Sequence, residues 1–433
     1  MPPRSVTGLI LTGGGARAAY QVGVLNAVVQ IRRDCQGIAG NPFDVIVGTS
    51  AGALNAAALA CRADDFDHAV QVLVDTWSGF HAEQVYRADS LGVIRTGARW
   101  LTMMSMGWVL AQWGRARPRS LLDNSPLAEL LSHLVPLHRL HEVMSAGHLQ
   151  ALAVSASSYG SGLHVTFYDT LADTTPWSRS QRLAVPQTLT LDHLLASSAI
   201  PFVFPAVSLG INGRHEYFGD GSMRQSAPIS PAVHLGAERI LVIGAGRMHE
   251  PNLPSEGRAG SNEYPNLAQI AGHALSNIFL DALAVDVERL ERVNRTLSLL
   301  SPQARAHTGL RPLDVLVIAP SQRLDDIAAR HLGSLPHAIR ALLRGIGVTG
   351  QGEDARGAAL ASYLLFEAPY TQELMALGVA DTLQRRDEVA QFFDWERRCA
   401  SRRPVDSATE LTSADSGSLM DSEHDPGPPA SNE

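Results

Sequence analysis

The stretch "FDVIVGTSAGALNAAALA", Phe43 to Ala60, sets Ser50 between Gly48 and Gly52, where a β-branched run gives way to alanines. Gly-x-Ser-x-Gly is the pattern of a nucleophile elbow, a strand-to-helix turn tight enough to push the serine oxygen out, with flanking glycines that avoid clashes. A five-residue match also occurs by chance, and a small-residue βα turn reads the same way. The strand-like run before the serine and the helix-like run after it supply the context that the chemistry requires. A serine hydroxyl then needs a base. In "HEYFGDGSMRQSAPISPAV", Asp220 precedes Gly221 on a turn that can expose its carboxylate, although Asp-Gly turns are common. The preceding "LLASSAIPFVFPAVSLG", punctuated by Pro201 and Pro205, would set that turn beside an apolar cleft. His234, His249, His273, His307, His331 and His337 lie downstream, none in a glycine-bracketed loop. A Ser-His-Asp hydrolase of the α/β type carries its elbow after several strands, followed by an acid and a late histidine, and Ser50 comes too early for that order.

The upstream "LTGGGARAAY" admits two uses. Gly13, Gly15 and Ala18 satisfy a dinucleotide fingerprint, for which Asp34 has roughly the right spacing to be the ribose acid. Asp34, however, precedes the next strand, whereas the acid belongs at that strand's carboxyl end, where Ser50 stands. A nicotinamide enzyme is therefore disfavoured. The same glycines can instead present free N–H groups at a helix start to a developing oxyanion.

These residues need elements to hold them. "SVTGLILTGGGARAAYQVGVLNAVVQIRR" reads as strand, turn and helix, with Tyr20, Val24, Val28 and Ile31 forming an apolar stripe. "FDVIVGTS" is a second buried strand and "AGALNAAALACRA" a second helix. Further strands are expected at "LQALAVSASS", "LHVTFYDT", "RILVIGA" and "LDVLVIAP". Strands alternating with helices predict an α/β fold with a mostly parallel central sheet covered by helices on both faces. Between residues 80 and 147 the rhythm breaks into a helical insertion, in which Ser125 is the expected N-cap with Pro126 at the first helical position. Glu250 to Glu263 reads as a polar loop. "NLAQIAGHALSNIFLDALAVDVERLERVNRTL" carries a long helical pattern expected to pack back on the sheet.

Three elements in order, "GGGAR", "GTSAG" and "FGDGS", with "SSAIPFVFPAV" before the last, resemble the patatin-like phospholipase family from about Thr7 to Ala245. The resemblance implies a lipid acyl hydrolase that uses a serine–aspartate dyad without histidine, metal or cofactor. It makes Ser50 the nucleophile, Asp220 the base, and the backbone of Gly13, Gly14, Gly15, Ala16 and Arg17 the oxyanion hole. Gly48 and Gly52 then shape the elbow, and Gly221 and Ser222 the base turn. Ala18 and Ser222 depart from residues common in the family, and a Ser222 hydroxyl bonded to the carboxylate would lower its basicity. The organisation expected is a patatin-like hydrolase domain over 7–249, an α/β extension over 262–398 packing on the core, and a disordered acidic tail over 401–433. An acyltransferase using the same dyad, and a non-catalytic lipid-binding protein, remain open alternatives.

Composition narrows the partners. The chain has 433 residues and a formal charge of −8, of which the seven acids and two arginines from Ser401 onward contribute −5. No basic stripe suggests nucleic acid. In "RWLTMMSMGWVLAQWGRARPR", Trp100, Trp108 and Trp113 flanked by arginines suit peripheral contact with a membrane surface, or a cap helix packed on the core. The apolar run there, about 15 residues, falls short of the roughly 20 of a spanning helix. Cys35, Cys61 and Cys399 are scattered and odd in number, so they suggest neither a disulfide framework nor a metal site. A reducing, cytoplasmic location is expected, peripheral on the inner membrane face where the protein meets lipid.

Overall fold

The computed structural model describes residues 5–35, 39–87, 120–211, 213–246, 264–350, 352 and 355–395. The tryptophan-rich stretch, the polar loop and the acidic tail of the sequence reading lie outside these residues.

Apolar runs buried on both sides build the centre. β1 (Thr7–Leu11) and β2 (Val45–Thr49) are buried at every position. They pair in parallel, Gly8 opposite Val45 and Leu11 opposite Gly48. β3 (Ala151–Ser158) continues on the far side of β2, again parallel, ending with Thr49 opposite Ser155. On the other edge of β1 lie β9 (Arg239–Ile243) and then β10 (Asp314–Ile318), both parallel. Five adjacent strands therefore run one way, and their carboxyl ends open at one edge of the sheet. Alternate side chains feed two cores: Leu9, Leu11 and Ile46 on one face, Ile10, Val45 and Val47 on the other. The expectation of a mostly parallel sheet flanked by helices is met.

Beyond β3 the sheet turns mixed. β4 (His164–Thr170) runs antiparallel to β3, followed by β6 (Arg182–Pro186) and the two-residue β5 (Ser178–Arg179). β7 (Val207–Ile211) and β8 (Arg214–Asp220) form an antiparallel hairpin, and β8 also pairs with β3. β5 to β8 are strands the sequence reading does not name, because their residues alternate with polar ones or face solvent.

Three helices follow and cover the strands of the site, and two more lie among the described residues of the insertion. α1 (Ala19–Asp34) follows β1, and Tyr20, Val24, Val28 and Ile31 are all fully buried, as the stripe predicts. α2 (Ala51–Ala60) follows β2, and α3 (Phe66–Ser78) packs on both, started by Asp65, whose side chain accepts from the His68 N–H. In the insertion, α4 (Ser125–Leu134) and α5 (Leu140–Ser145) are formed. The cap of α4 differs from expectation. Its N-cap is Asn124, and the carboxylate of Asp123 accepts from the Ser125 N–H at 2.9 Å, so an acid outside the helix takes the place of a hydroxyl cap.

The region after residue 264 is woven into this frame. α8 (Leu267–Ser298), preceded by the short α6 (Leu191–Ser197) and α7 (Ser230–His234), is a 32-residue helix begun by an Asn266–Gln269 capping box. It packs back only in part: Leu283 and Leu297 are buried while Leu267, Ile270 and Val285 are exposed. By length and composition it is also apolar enough to cross a membrane, which the sequence reading does not flag. The chain continues through α9 (Pro302–His307), β10, α10 (Leu324–His331), α11 (His337–Gly345), α12 (Ala358–Ala361), α13 (Ala368–Gln384) and α14 (Arg386–Phe392). α13 lies against α1 so closely that a Cβ on Gly23 would stand 2.0 Å from the Met375 carbonyl oxygen, and one on Gly378 2.3 Å from that of Tyr20. Only paired glycines allow that crossing. The Tyr20 hydroxyl then donates to Asp381 at 3.0 Å, and Asp381 also accepts from the Ser321 N–H and hydroxyl. Cys35 is disulfide-bonded, whereas Cys61 is buried and free. The pairing of Cys35 corrects the sequence reading, since cysteines scattered along a chain carry no spacing signal.

Candidate active site

Strand pairing brings the two candidate catalytic side chains together. Ala156 of β3 pairs with Val165 of β4 and with Asp220 of β8, so β8 must use the edge of β3 opposite β4. That is the edge β2 occupies as far as Thr49 opposite Ser155. β2 and β8 therefore approach from opposite directions along one edge, and their carboxyl ends meet head to head. Ser50 is the next residue after β2, and Asp220 the last of β8.

At this junction the Ser50 hydroxyl donates to Oδ2 of Asp220 at 2.5 Å. Ser50 is 1% exposed and Asp220 fully buried. Ser50 holds φ 56° and ψ −133°, a conformation that non-glycine residues avoid and that costs about 1–3 kcal/mol. Such strain is the mark of an elbow rather than of an ordinary turn. Its surroundings enforce it: a Cβ on Gly52 would lie 2.3 Å from the Leu11 carbonyl oxygen, so the first turn of α2 rests directly on the end of β1.

Two backbone contacts from one segment hold the pair in register. The Ser50 N–H donates to the Ser197 hydroxyl at 2.9 Å, and that hydroxyl donates onward to the Ser155 carbonyl at 2.6 Å. Two residues later, the Ala199 carbonyl accepts from the Asp220 N–H at 2.9 Å. The "SSAIP" stretch thus grips both Ser50 and Asp220. The sequence reading assigns that stretch an apolar cleft and a place in the family pattern but gives Ser197 no role; the signal available was a pair of serines inside an otherwise apolar segment.

Burial raises the Asp220 carboxyl to about 6, against the opposing pull of the Ser50 hydroxyl and of the Ser222 N–H, which donates to Oδ1 at 2.9 Å. A carboxylate made more basic by desolvation, and touching a hydroxyl, is equipped to take its proton. The Ser222 hydroxyl also lies close enough to pull the carboxyl down, as expected, although its geometry falls short of a full hydrogen bond. Among the described residues no histidine is hydrogen-bonded to Ser50 or Asp220. His234 stacks on Trp177, His331 bonds to Glu373, His337 meets Arg340 and His307 the Gln303 carbonyl. His273 is exposed, and His249 lies outside the described residues.

The glycine turn sits at the end of β1, next to the elbow, as expected for two βα turns on adjacent parallel strands. Its five residues do not play one part. The Ala16 N–H donates to the Tyr363 carbonyl at 3.1 Å and the Arg17 N–H to the Gly14 carbonyl at 3.1 Å, so neither is left for an oxyanion. No hydrogen bond to an acceptor among the described residues occupies the N–H groups of Gly13, Gly14 and Gly15. The two turns are tied together behind the site by buried amides: Gln21 donates to the Thr12 carbonyl at 2.7 Å, Asn55 to Gln21 at 3.1 Å, and Trp77 to Asn55 at 2.9 Å.

The patatin-like phospholipase family model matches residues 9–233, which contain Ser50, Asp220, the glycine turn and the "SSAIP" segment. Uncharacterized protein YjjU of Escherichia coli K12 is 27% identical over 237 residues, 54% of this chain and 50% of that protein. Lysophospholipase nte1 of Aspergillus terreus is 51% identical over 61 residues, 14% of this chain and 3% of that protein. The chain thus spans about half of the first relative and a small piece of the second. Among solved structures, VipD from Legionella pneumophila aligns over 86% of this chain and 67% of its own, at 12% identity and a TM-score of 0.31. The type III effector protein ExoU aligns over 93% and 94%, at 14% identity and a TM-score of 0.25. Those scores are too low to define a common fold, so the assignment rests on the family match across more than half of the sequence: this chain belongs to the patatin-like phospholipase family.

Proposed function

We propose that the protein is a lipid acyl hydrolase of the phospholipase or lysophospholipase kind, cleaving carboxylic esters through Ser50 and Asp220. The observation that carries this reading is the 2.5 Å hydrogen bond between a strained serine and a fully buried carboxylate. Family membership supports lipid ester hydrolysis at the coarser level.

In the cycle, ionised Asp220 accepts the Ser50 proton as Oγ attacks the ester carbonyl. The N–H groups of Gly14 and Gly15, with the start of α2 behind Ser50, receive the negative charge that develops on the carbonyl oxygen. As the tetrahedral intermediate collapses, the proton passes from Asp220 to the leaving alcohol, and the acyl group stays on Ser50. Water then attacks the acyl-enzyme, Asp220 takes its proton, and a second collapse releases the fatty acid and returns the proton to Ser50. Burial serves this chemistry twice, since it makes the carboxylate a better base and strengthens each hydrogen bond to the oxyanion.

The test is release of free fatty acid from phosphatidylcholine and lysophosphatidylcholine vesicles by wild type, Ser50→Ala and Asp220→Ala. Turnover by wild type and its loss in both variants is expected. Undiminished turnover in either variant, or an inert wild type, would overturn the proposal.

A further inference from the structure

The family match ends at residue 233, yet the glycine turn that should bind the oxyanion is held by residues more than a hundred positions later. Four contacts converge on it. The Tyr363 carbonyl accepts from the Ala16 N–H at 3.1 Å. Arg17 Nε donates to the Ser362 hydroxyl at 2.8 Å, and its Nη2 to the Ala359 carbonyl at 3.4 Å. The guanidinium lies 4.1 Å from the centre of the Tyr363 ring, a cation–π contact. Ser362 itself donates to the Ala359 carbonyl at 2.6 Å, closing the Arg17 site into a small network. Arg17, Ser362 and Tyr363 are 3%, 0% and 0% exposed.

The fit is shaped around a glycine. Gly15 stands at φ 55°, and a Cβ there would lie 2.3 Å from the Tyr363 carbonyl oxygen. The turn could accept a side chain at that position only if the later segment withdrew. Arg17 is equally committed: its charge is balanced by Asp325 on α10, where burial would raise the carboxyl but Arg17 and Arg323 outweigh it and hold it below its ordinary value. Held through Nε and Nη2 by the later segment and only 3% exposed, Arg17 is placed to support the turn rather than to reach a substrate phosphate.

We infer that residues 359–363 act as a clamp that positions the oxyanion-binding N–H groups of Gly14 and Gly15, with Arg17, Ser362 and Tyr363 as positioning residues rather than substrate contacts. The inference rests on the Ser50–Asp220 reading for its catalytic consequence, but the clamp itself is a structural claim that can be tested apart from turnover. The physical logic is that a backbone oxyanion site works only when its donors are fixed before charge develops. In a glycine-rich turn, which has the most conformational freedom to lose, outside contacts must do the fixing. A shift of 1 Å in such donors weakens transition-state binding and leaves ground-state binding nearly unchanged.

The experiment compares wild type with Ser362→Ala, Arg17→Gln and the control Tyr20→Phe. The control loosens a different contact between the same regions, the Tyr20–Asp381 hydrogen bond, and leaves the glycine turn untouched. Turnover is measured on phosphatidylcholine vesicles and on a short uncharged p-nitrophenyl ester. Amide hydrogen exchange is followed in peptides covering Thr12 to Tyr20 and Gly48 to Ala56. For Ser362→Ala and Arg17→Gln the account expects kcat to fall about 10–100-fold on both substrates, with KM within about twofold. Exchange should quicken in the Thr12–Tyr20 peptide and stay unchanged in the Gly48–Ala56 peptide. Tyr20→Phe should lower Tm without lowering kcat. Loss confined to the phospholipid would make Arg17 a phosphate contact and overturn the inference, as would unchanged exchange in the glycine turn. An inert wild type would overturn the hydrolase reading alone, while the exchange data would still decide the clamp.

Discussion

The two glycine turns of the site, Gly13–Arg17 after β1 and Gly48–Gly52 after β2, look alike in sequence and are built in opposite ways. The elbow is self-contained: Gly52 rests on the end of β1, Ser50 is tied to Ser197, and every contact comes from within the stretch that the family match covers. The first turn, proposed to bind the oxyanion, depends on the far end of the chain, through Tyr363, Ser362 and Ala359. A reacting side chain can be fixed by its own strained backbone. A row of bare N–H groups has no side chains with which to fix itself, so packing from elsewhere must do it.

The largest effects should come from the chemistry at the elbow. Ser50→Ala and Asp220→Ala are each expected to lower turnover by about a thousandfold or more, and the double variant no further, since the two act as a unit. Initial rates of fatty acid release measure this; additive losses would break the dyad. Next, Gly52→Ala and Gly15→Ala separate the two turns. At Gly52 the added Cβ meets the core strand β1, which cannot move, so a loss of about 3 kcal/mol or more in urea unfolding is expected. At Gly15 it meets the Tyr363 carbonyl at a residue of positive φ, so a stability loss is expected together with a fall in kcat.

A buried carboxylate that prefers its proton also costs stability. Because burial raises Asp220 to about 6 from an unfolded value near 4, ionisation is disfavoured in the folded state. The Asp220 contribution to stability should therefore be full below about pH 4 and be lost as pH rises through 6. Asp220→Asn keeps an oxygen for the Ser222 N–H and carries no charge. It is expected to be more stable than wild type at pH 8, by up to about 3 kcal/mol, with no advantage below pH 4; thermal melts at both pH values decide it. The smallest effect is kinetic. kcat/KM should rise with pH to a plateau, with an apparent pKa of about 6. A pH-independent rate between 5 and 7 would assign the base elsewhere.

What the sequence revealed follows from the same contrast. β1, β2, β9 and β10 are legible as short apolar runs, and β3 and β4 because a nearly continuous buried stretch keeps an apolar centre. β7 and β8 are not, because Arg214, His215 and Tyr217 face outward and mask the strand, and so the hairpin that delivers Asp220 is missed although Asp220 is singled out. Ser50 and Asp220 sit in turns whose residue types announce themselves. Ser197 does its work through one hydroxyl between two backbone groups, which needs no neighbouring pattern. The engagement of Ala16 and Arg17 by residues near 360 is invisible for a different reason: a partner some 345 positions away has no spacing to read.

The most direct test of the central claim is to label the protein with a fluorophosphonate and map the adduct by peptide mass spectrometry. The account predicts a single adduct on Ser50, formed faster as pH rises through 6 and absent in Ser50→Ala. An adduct on another residue, or lipid hydrolysis by a protein whose Ser50 stays unlabelled, would contradict it.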